Sequence, residues 1–229
     1  MKKKLGIFLA ILFMAEFAFC KEFKVSSFYK PVYKAATESF FKVGDIVVDE
    51  NNNPVAVIFK GNKLARDTAL GVAIVQKEDL EWALADAAGY AEKVHAMIED
   101  KTSGKNGHLN AVSFYNEFEK WGDDIENYPA WAYAKNYNEG GLGDWFIPSI
   151  EEFNLLMEES EKVNSALNYI NAPLFLDKTY WTSNVAKVNS ENAFYLNFKK
   201  GKTVAVPKSE KKYVCLIREF NISNENKGN

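Results

Sequence analysis

Cys215, His95 and His108 are the side chains on which nucleophilic or metal chemistry would have to be built, together with Cys20 near the start of the chain. A cysteine nucleophile needs a nearby imidazole or cation to lower its pKa. Cys215 stands between Val214 and Leu216 with neither close in sequence, which reads as a small buried apolar residue. His95 falls beside the apolar stripe of an expected helix and His108 in a polar loop. No histidine–carboxylate spacing matches a metal-binding helix. Glu151, Glu152, Glu158, Glu159 and Glu161 crowd one segment, where helical spacing makes them a solvated face before it makes them paired acids. Gly122-Asp123-Asp124-Ile125-Glu126 carries oxygen ligands of the type calcium prefers, in a run short enough to be an ordinary loop. The expectation is no catalytic residue, no metal and no cofactor.

Two sets of residues suit binding instead. Asn184, Asn189, Asn192, Tyr195 and Asn197 combine adaptable hydrogen bonding with a flat aromatic ring, and form the expected ligand-binding surface. Lys199, Lys200, Lys202, Lys208, Lys211 and Lys212 would line adjoining strands and their turn as a cationic ridge for a sulfated glycan, through salt-sensitive contacts. Lysines at a sheet edge also prevent edge-to-edge pairing, so both readings stay open.

The elements that would position these groups follow from hydrophobic period. Residues 45–59 read as a hairpin around Asp49–Pro54, and Leu70–Val75 as a further strand. Leu80, Ala83, Leu84, Ala87, Ala91, Val94 and Ile98 recur at three- and four-residue steps, predicting an amphipathic helix. More helix is expected from Leu109 to Lys120 and from Pro129 to Asn138, stopped by Gly140 and Gly141. Ser149 and Glu152 form a capping box ahead of a helix carrying Phe153, Leu156 and Met157 inward, and another helix with Val163, Ala166, Leu167 and Ile170 ends before Pro173. The period then returns to two at Tyr180–Ser183, Ala193–Phe198, Thr203–Val206 and Tyr213–Glu219, with Lys200-Gly201 as a turn.

At the N-terminus, Lys2, Lys3 and Lys4 precede an apolar run from Leu5 to Ala15, shorter than the roughly 20 residues a membrane-spanning helix needs. This reads as a secretory signal peptide over residues 1–20, ending in cleavage after Cys20 or in lipid modification of Cys20, with an uncleaved anchor as the third alternative. All three place the protein outside the cytoplasm, and membrane attachment of the mature chain is expected only through a lipid on Cys20. Residues 21–220 are expected to form one domain and 221–229 a polar flexible tail. Of 229 residues, 47% are hydrophobic and 26% charged, which fits a folding globular chain and excludes a disordered one. The net charge of −3 provides no overall positive field for nucleic acid.

Several pieces in fixed order carry a family resemblance: Tyr128-Pro129-Ala130-Trp131, Ala134-Lys135-Asn136-Tyr137, Gly143 to Glu152, Tyr180-Trp181-Thr182-Ser183, Ala193 to Phe198, Gly201 and Tyr213 to Arg218. In these the chain resembles a bacterial extracytoplasmic domain family of C-type-lectin-like fold. That family is also seen as the C-terminal domain of collagen-like adhesins and in spirochaete exported paralogues, and is remotely related in fold to formylglycine-generating sulfatase-modifying enzymes. The resemblance implies an α+β fold of small twisted antiparallel sheets with flanking helices. Trp145 and Trp181 are expected to build that fold. Two positions depart from the family pattern: Phe146 stands where arginine is usual, and Asn184 where serine or threonine is usual, each expected to alter an exposed edge. The resemblance brings no active site with it, since Cys215 is alone and neither loop of the calcium-dependent sugar site is present. The function expected is noncatalytic recognition of a glycan or protein at the cell envelope. The alternatives are a structural or assembly component of the envelope, or a diverged enzyme of the sulfatase-modifying type.

Overall fold

The computed structural model describes residues 30–220 except 65–66, 93, 99–103 and 188. The expected signal peptide, Cys20 and the polar tail lie outside these residues.

β-Branched residues on either side of a tight turn begin the sheet. β2 (Ile46–Val48) and β3 (Pro54–Lys60) form the expected hairpin. Asp49 closes its turn by accepting the backbone N–H groups of Asn51 and Asn53 at 2.9 and 2.8 Å. β1 (Tyr33–Ala35) runs parallel to β2 at the sheet edge. β4 covers Ala69–Glu81, well beyond Val75, and is bent by irregular pairing between Val72 and Gln76 and between Lys77 and Leu80. The strand-rich end supplies β5 (Thr179–Val185), β6 (Asn192–Asn197), β7 (Lys202–Pro207) and β8 (Lys211–Phe220).

These strands make one eight-stranded sheet in the order β1-β2-β3-β4-β8-β5-β6-β7, where separate small sheets were expected. Its two ladders meet on β8, which is antiparallel to β4 and parallel to β5 through the single pair Tyr180–Tyr213. The expectation of small sheets arises because period-two patterns mark strands and say nothing about which distant strand each one joins.

The described helices are α1 (Gly107–Trp121), α2 (Pro129–Asn136), α3 (Ile150–Glu158) and α4 (Ser160–Tyr169). With the large sheet they make the protein α+β. The Asn106 side chain caps α1 by accepting the Leu109 N–H at 2.8 Å, and Gly122 ends that helix in the left-handed conformation at φ 65°. His108 therefore sits in the first turn of α1 and not in a loop.

The expected helix from Leu80 to Ile98 does not form. Leu80 and Glu81 finish β4, and the chain then runs irregularly to a short 3₁₀ turn at His95–Met97. Its backbone donors find partners far away in sequence: Trp82 and Ala83 N–H donate to the Lys208 carbonyl, and Leu84 N–H to that of Asn127. Gly89 lies flat against Trp121, where a Cβ would come within 2.3 Å of the ring. The helical spacing of alanines and leucines here records contact with a curved aromatic core, which overrides local propensity.

That core centres on Phe114. Its ring stacks on Trp131 at 4.1 Å and meets Trp82, Trp121 and Tyr128 edge-on at 5.6, 5.9 and 5.4 Å. Trp82, Phe114, Tyr128 and Trp131 are buried. Each such aromatic pair adds about 0.5–1.5 kcal/mol beyond simple burial, so the loop after β4 is held by rings that α1 and α2 present to it.

Candidate functional site

Between the helices and the second ladder lies a buried polar hub. Ser149 caps α3, and its hydroxyl meets Glu152 in the full reciprocal capping box. Glu152 Oε2 also accepts the Ser149 N–H at 2.8 Å and the Gly107 N–H at 2.9 Å, tying the starts of α3 and α1 together. Desolvation pushes the Glu152 carboxyl above its usual range, more than these donors pull it down. Asn110 donates to Ser183 Oγ at 2.7 Å. Asn184 Nδ2 donates to the carbonyls of Gly104 and Met97 at 2.6 and 3.2 Å.

The accessible chemistry lies on the far ladder. Cross-strand register puts Trp181 of β5, Tyr195 of β6 and Val204 of β7 in one row. The Lys212 ammonium stands 5.0 Å from the Tyr195 ring centroid and 5.6 Å from that of Trp181, and pairs with Glu210. Its side chain is only 11% exposed, so the cation is held between two ring faces. Trp181 is buried and donates its indole N–H to the Leu80 carbonyl at 2.8 Å. Tyr195 is half-buried, and Val204 is 43% exposed. The row thus offers an aromatic ring, an oriented charge and an apolar patch on a rigid sheet.

Of the residues expected at the ligand surface, Tyr195 falls in this row. Asn184 does not: it is fully buried, and its departure from the family pattern changes the interior and no exposed edge. The same correction applies to Phe146, which is 2% exposed, bridges Ile217 through two backbone hydrogen bonds and stacks on His108 at 5.5 Å. Asn189 and Asn192 serve the β5–β6 connection, where Asn189 Oδ1 accepts the Glu191 N–H at 3.0 Å and its carbonyl accepts the Asn192 N–H. Asn197, at the other end of β6, uses its side-chain oxygen to cap the turn at Lys200 N–H, 2.9 Å away. The four remaining members are therefore spread along the whole of β6 and the loop before it.

The six lysines are not one ridge. Lys199 pairs with Asp177 at 3.0 Å and Lys211 with Glu81 at 3.7 Å, while Lys200 and Lys202 are exposed near the β6–β7 turn. Lys208 is buried, with 1% exposure, and so cannot belong to a surface patch. Its ammonium donates to the Tyr90 carbonyl at 2.7 Å and lies 4.8 Å from the Trp82 ring centroid. Burial lowers its pKa to about 8, against smaller opposing effects from Glu92 and Glu191. A lysine beside a Pro-Lys-Ser-Glu turn carries no signal of such burial, because the ring that covers it comes from the loop after β4.

Cys215 is fully buried in β8, and desolvation raises its thiol pKa well above the ordinary value. Asp123 accepts hydrogen bonds from Ala88 N–H, Asp124 N–H, the Asn127 amide and the Tyr128 hydroxyl, which occupies the acidic loop in holding the chain together. Among the described residues no cluster of three or more histidine, cysteine, aspartate or glutamate side chains could hold a metal ion.

One polar chain was not foreseen. Lys178 Nζ donates to the Tyr213 hydroxyl at 2.7 Å, and that hydroxyl donates to Glu78 at 2.6 Å, which raises the Lys178 pKa. Period two alone places Tyr213 on β8; nothing in the sequence brings Glu78 to it.

The chain belongs to the Lcl C-terminal domain family, whose model matches residues 76–218. That range takes in the end of β4, the four described helices, the polar hub and the far ladder. Among solved structures it is similar to a fimbrial protein from Bacteroides ovatus, at 15% identity and a TM-score of 0.49. The match covers 65% of this chain and 35% of that one, so this chain spans about a third of that protein's length. No curated protein matches the sequence. No helix among the described residues is long and apolar enough to cross a membrane.

Proposed function

We propose that this chain is a noncatalytic recognition domain of C-type-lectin-like fold, exported by residues 1–20 and acting at the cell envelope, where residues 21–220 bind a glycan or a protein. The observation that carries this reading is the row Trp181–Tyr195–Val204 with Lys212 fixed against its two rings. A sheet-borne aromatic ring loses little entropy on contact, and Lys212, itself paired with Glu210, fixes that ring in place. Membership of the Lcl C-terminal domain family is compatible with it. The sealed position of Cys215 supports the noncatalytic reading, since chemistry of the sulfatase-modifying type would need a reactive thiol.

The test is capture on arrays of glycans and host-matrix proteins by the wild type, by Tyr195→Ala and by Asn197→Ala. Tyr195→Ala is expected to lower capture about tenfold while leaving the melting temperature within a few degrees. Unchanged capture removes the row from the function. Retention on heparin at low salt, lost in Lys200→Gln/Lys202→Gln, would identify a sulfated glycan as the ligand class; flow-through at low salt removes that class.

A further inference from the structure

At the opposite edge of the sheet, β1 and the loops after it enclose a groove of about 420 Å³ whose walls include Val32, Phe40, Lys34, Lys42 and Lys63. Val32 is 53% exposed and Phe40 52%, and Leu64, next to Lys63, is 48% exposed. These apolar side chains are held outward by built structure. Asn62 joins the two loops: its side-chain oxygen accepts the Phe41 N–H at 2.8 Å, and its amide donates to the Ser39 carbonyl at 2.9 Å. Phe41 is thereby anchored in the core against Phe220 at 5.7 Å, and Phe40, its neighbour, is left in solvent.

The lining is also rich in lysine. Three lysines line the groove against one carboxylate, Asp45, which is 5% exposed and accepts the Lys42 N–H at 2.8 Å. Glu38 stands 4.0 Å from Lys34, and Asp67 accepts the Leu64 N–H at 3.1 Å beside the groove. In a chain of net charge −3, the lining itself still carries more lysine than carboxylate, next to an exposed apolar surface.

We propose that this groove docks the domain on an anionic phospholipid bilayer. Lys34, Lys42 and Lys63 meet the headgroup phosphates, and Val32, Phe40 and Leu64 enter the boundary between headgroups and acyl chains. Two observations favour a bilayer over other polyanions. A sulfated polysaccharide would engage the lysines and leave the three apolar side chains in water, whereas a bilayer interface takes both kinds of group at once. The groove also lies where the described chain begins: eleven residues separate Cys20 from Val32, a reach of at most about 40 Å. A membrane-tethered Cys20 would present this edge to the lipid. The docking does not depend on that tether or on the recognition row, which occupies the other edge.

Vesicle flotation with the full chain tests it. The first twenty residues, with Lys2, Lys3 and Lys4 ahead of an apolar run, themselves favour anionic vesicles, but they are common to wild type and variants and cancel when those are compared on the same vesicles. Vesicles containing about one-third phosphatidylglycerol should bind at least about tenfold more tightly than pure phosphatidylcholine, with the advantage shrinking as salt rises. Each lysine near an anionic surface is worth roughly fivefold, so Lys34→Gln/Lys42→Gln/Lys63→Gln should lose about a hundredfold. Phe40→Ser, which leaves the charge unchanged, should lose several-fold at every salt concentration. Lys42, Lys63 and Phe40 are exposed and Lys34 is half-buried, and unchanged thermal melting confirms the fold of each variant. Equal binding to neutral and anionic vesicles, or full binding by the triple variant, overturns the proposal. So does retention on heparin through the same three lysines without preference among vesicles, which would make the partner a sulfated polymer.

Discussion

Asn184 Oδ1 accepts the backbone N–H of Ile150 at 2.9 Å, so a residue of β5 caps α3 from outside the helix. The same side chain donates to the Gly104 and Met97 carbonyls, and one buried amide thus joins a strand, a helix start and the loop ahead of α1. Serine or threonine could not reach all three.

Asn184→Ala leaves a helix donor and two carbonyls without this partner. Each buried group left unmatched costs about 1–3 kcal/mol, and the expected loss is about 3 kcal/mol in urea unfolding. Asn184→Asp should be at least as damaging, since it keeps the acceptor while removing the donors and burying a charge. A loss below about 1 kcal/mol for both would remove Asn184 from the hub.

Glu152 gives the hub a pH dependence. Burial raises its carboxyl pKa above the ordinary 4.5, so folding favours the protonated form. Its contribution is full below the unfolded value and declines as pH rises through the folded one. Glu152→Gln should remove that decline in stability, measured as urea midpoints from acid to neutral pH. An unaltered slope in the variant would assign the titration elsewhere.

Lys208 acts in the opposite direction. Its pKa falls from 10.5 to about 8 on folding, so the unfolded chain holds the proton more tightly between those values. Stability should therefore rise as pH climbs from about 8 towards 10.5, until the buried tyrosines oppose it. Tyr133, raised from 10.0 to about 12, belongs to that group: the unfolded phenol ionises first and stability falls above about pH 10. Lys208→Met should be about 1–2 kcal/mol more stable at pH 7, with the gain gone near pH 10. A variant less stable at both would mean that the contacts with Tyr90 and Trp82 outweigh desolvation.

Cys215 should be inert in the native protein. Modification by a thiol reagent is expected only at the rate of global unfolding, accelerating in parallel with loss of tryptophan burial in denaturant. Prompt labelling at Cys215 itself in the folded protein, located by peptide mapping apart from Cys20, would refute its sealed position and reopen the enzymatic reading.

What could be read from sequence was what depends on neighbours in sequence. The hairpin around Asp49, the capping box at Ser149 and Glu152, the turn at Gly201 and the last four strands all follow from local rules, and all are present. The segment after β4 could not be read, because Trp82 and Gly89 answer to Phe114, Trp121 and Lys208, none of them near in sequence. The interior roles of Asn184 and Lys208 are hidden for the same reason, since polarity suggests exposure unless the partners that satisfy it are known, and Phe146 is expected at an edge only because arginine is usual there in the family it resembles. Of the candidate row, Tyr195 was legible as an aromatic ring among hydrogen-bonding groups. Its link with Lys212 needed the strand order.

That order has a temporal side. β4 ends at Glu81 and β5 begins at Thr179, and the strand that separates and joins them, β8, starts only at Lys211. As the chain emerges, its two halves have no shared ladder until β8 has been made. Loop closures of that span are slow. Such an architecture keeps a growing polypeptide pliable until its closing strand arrives, then locks both halves at once.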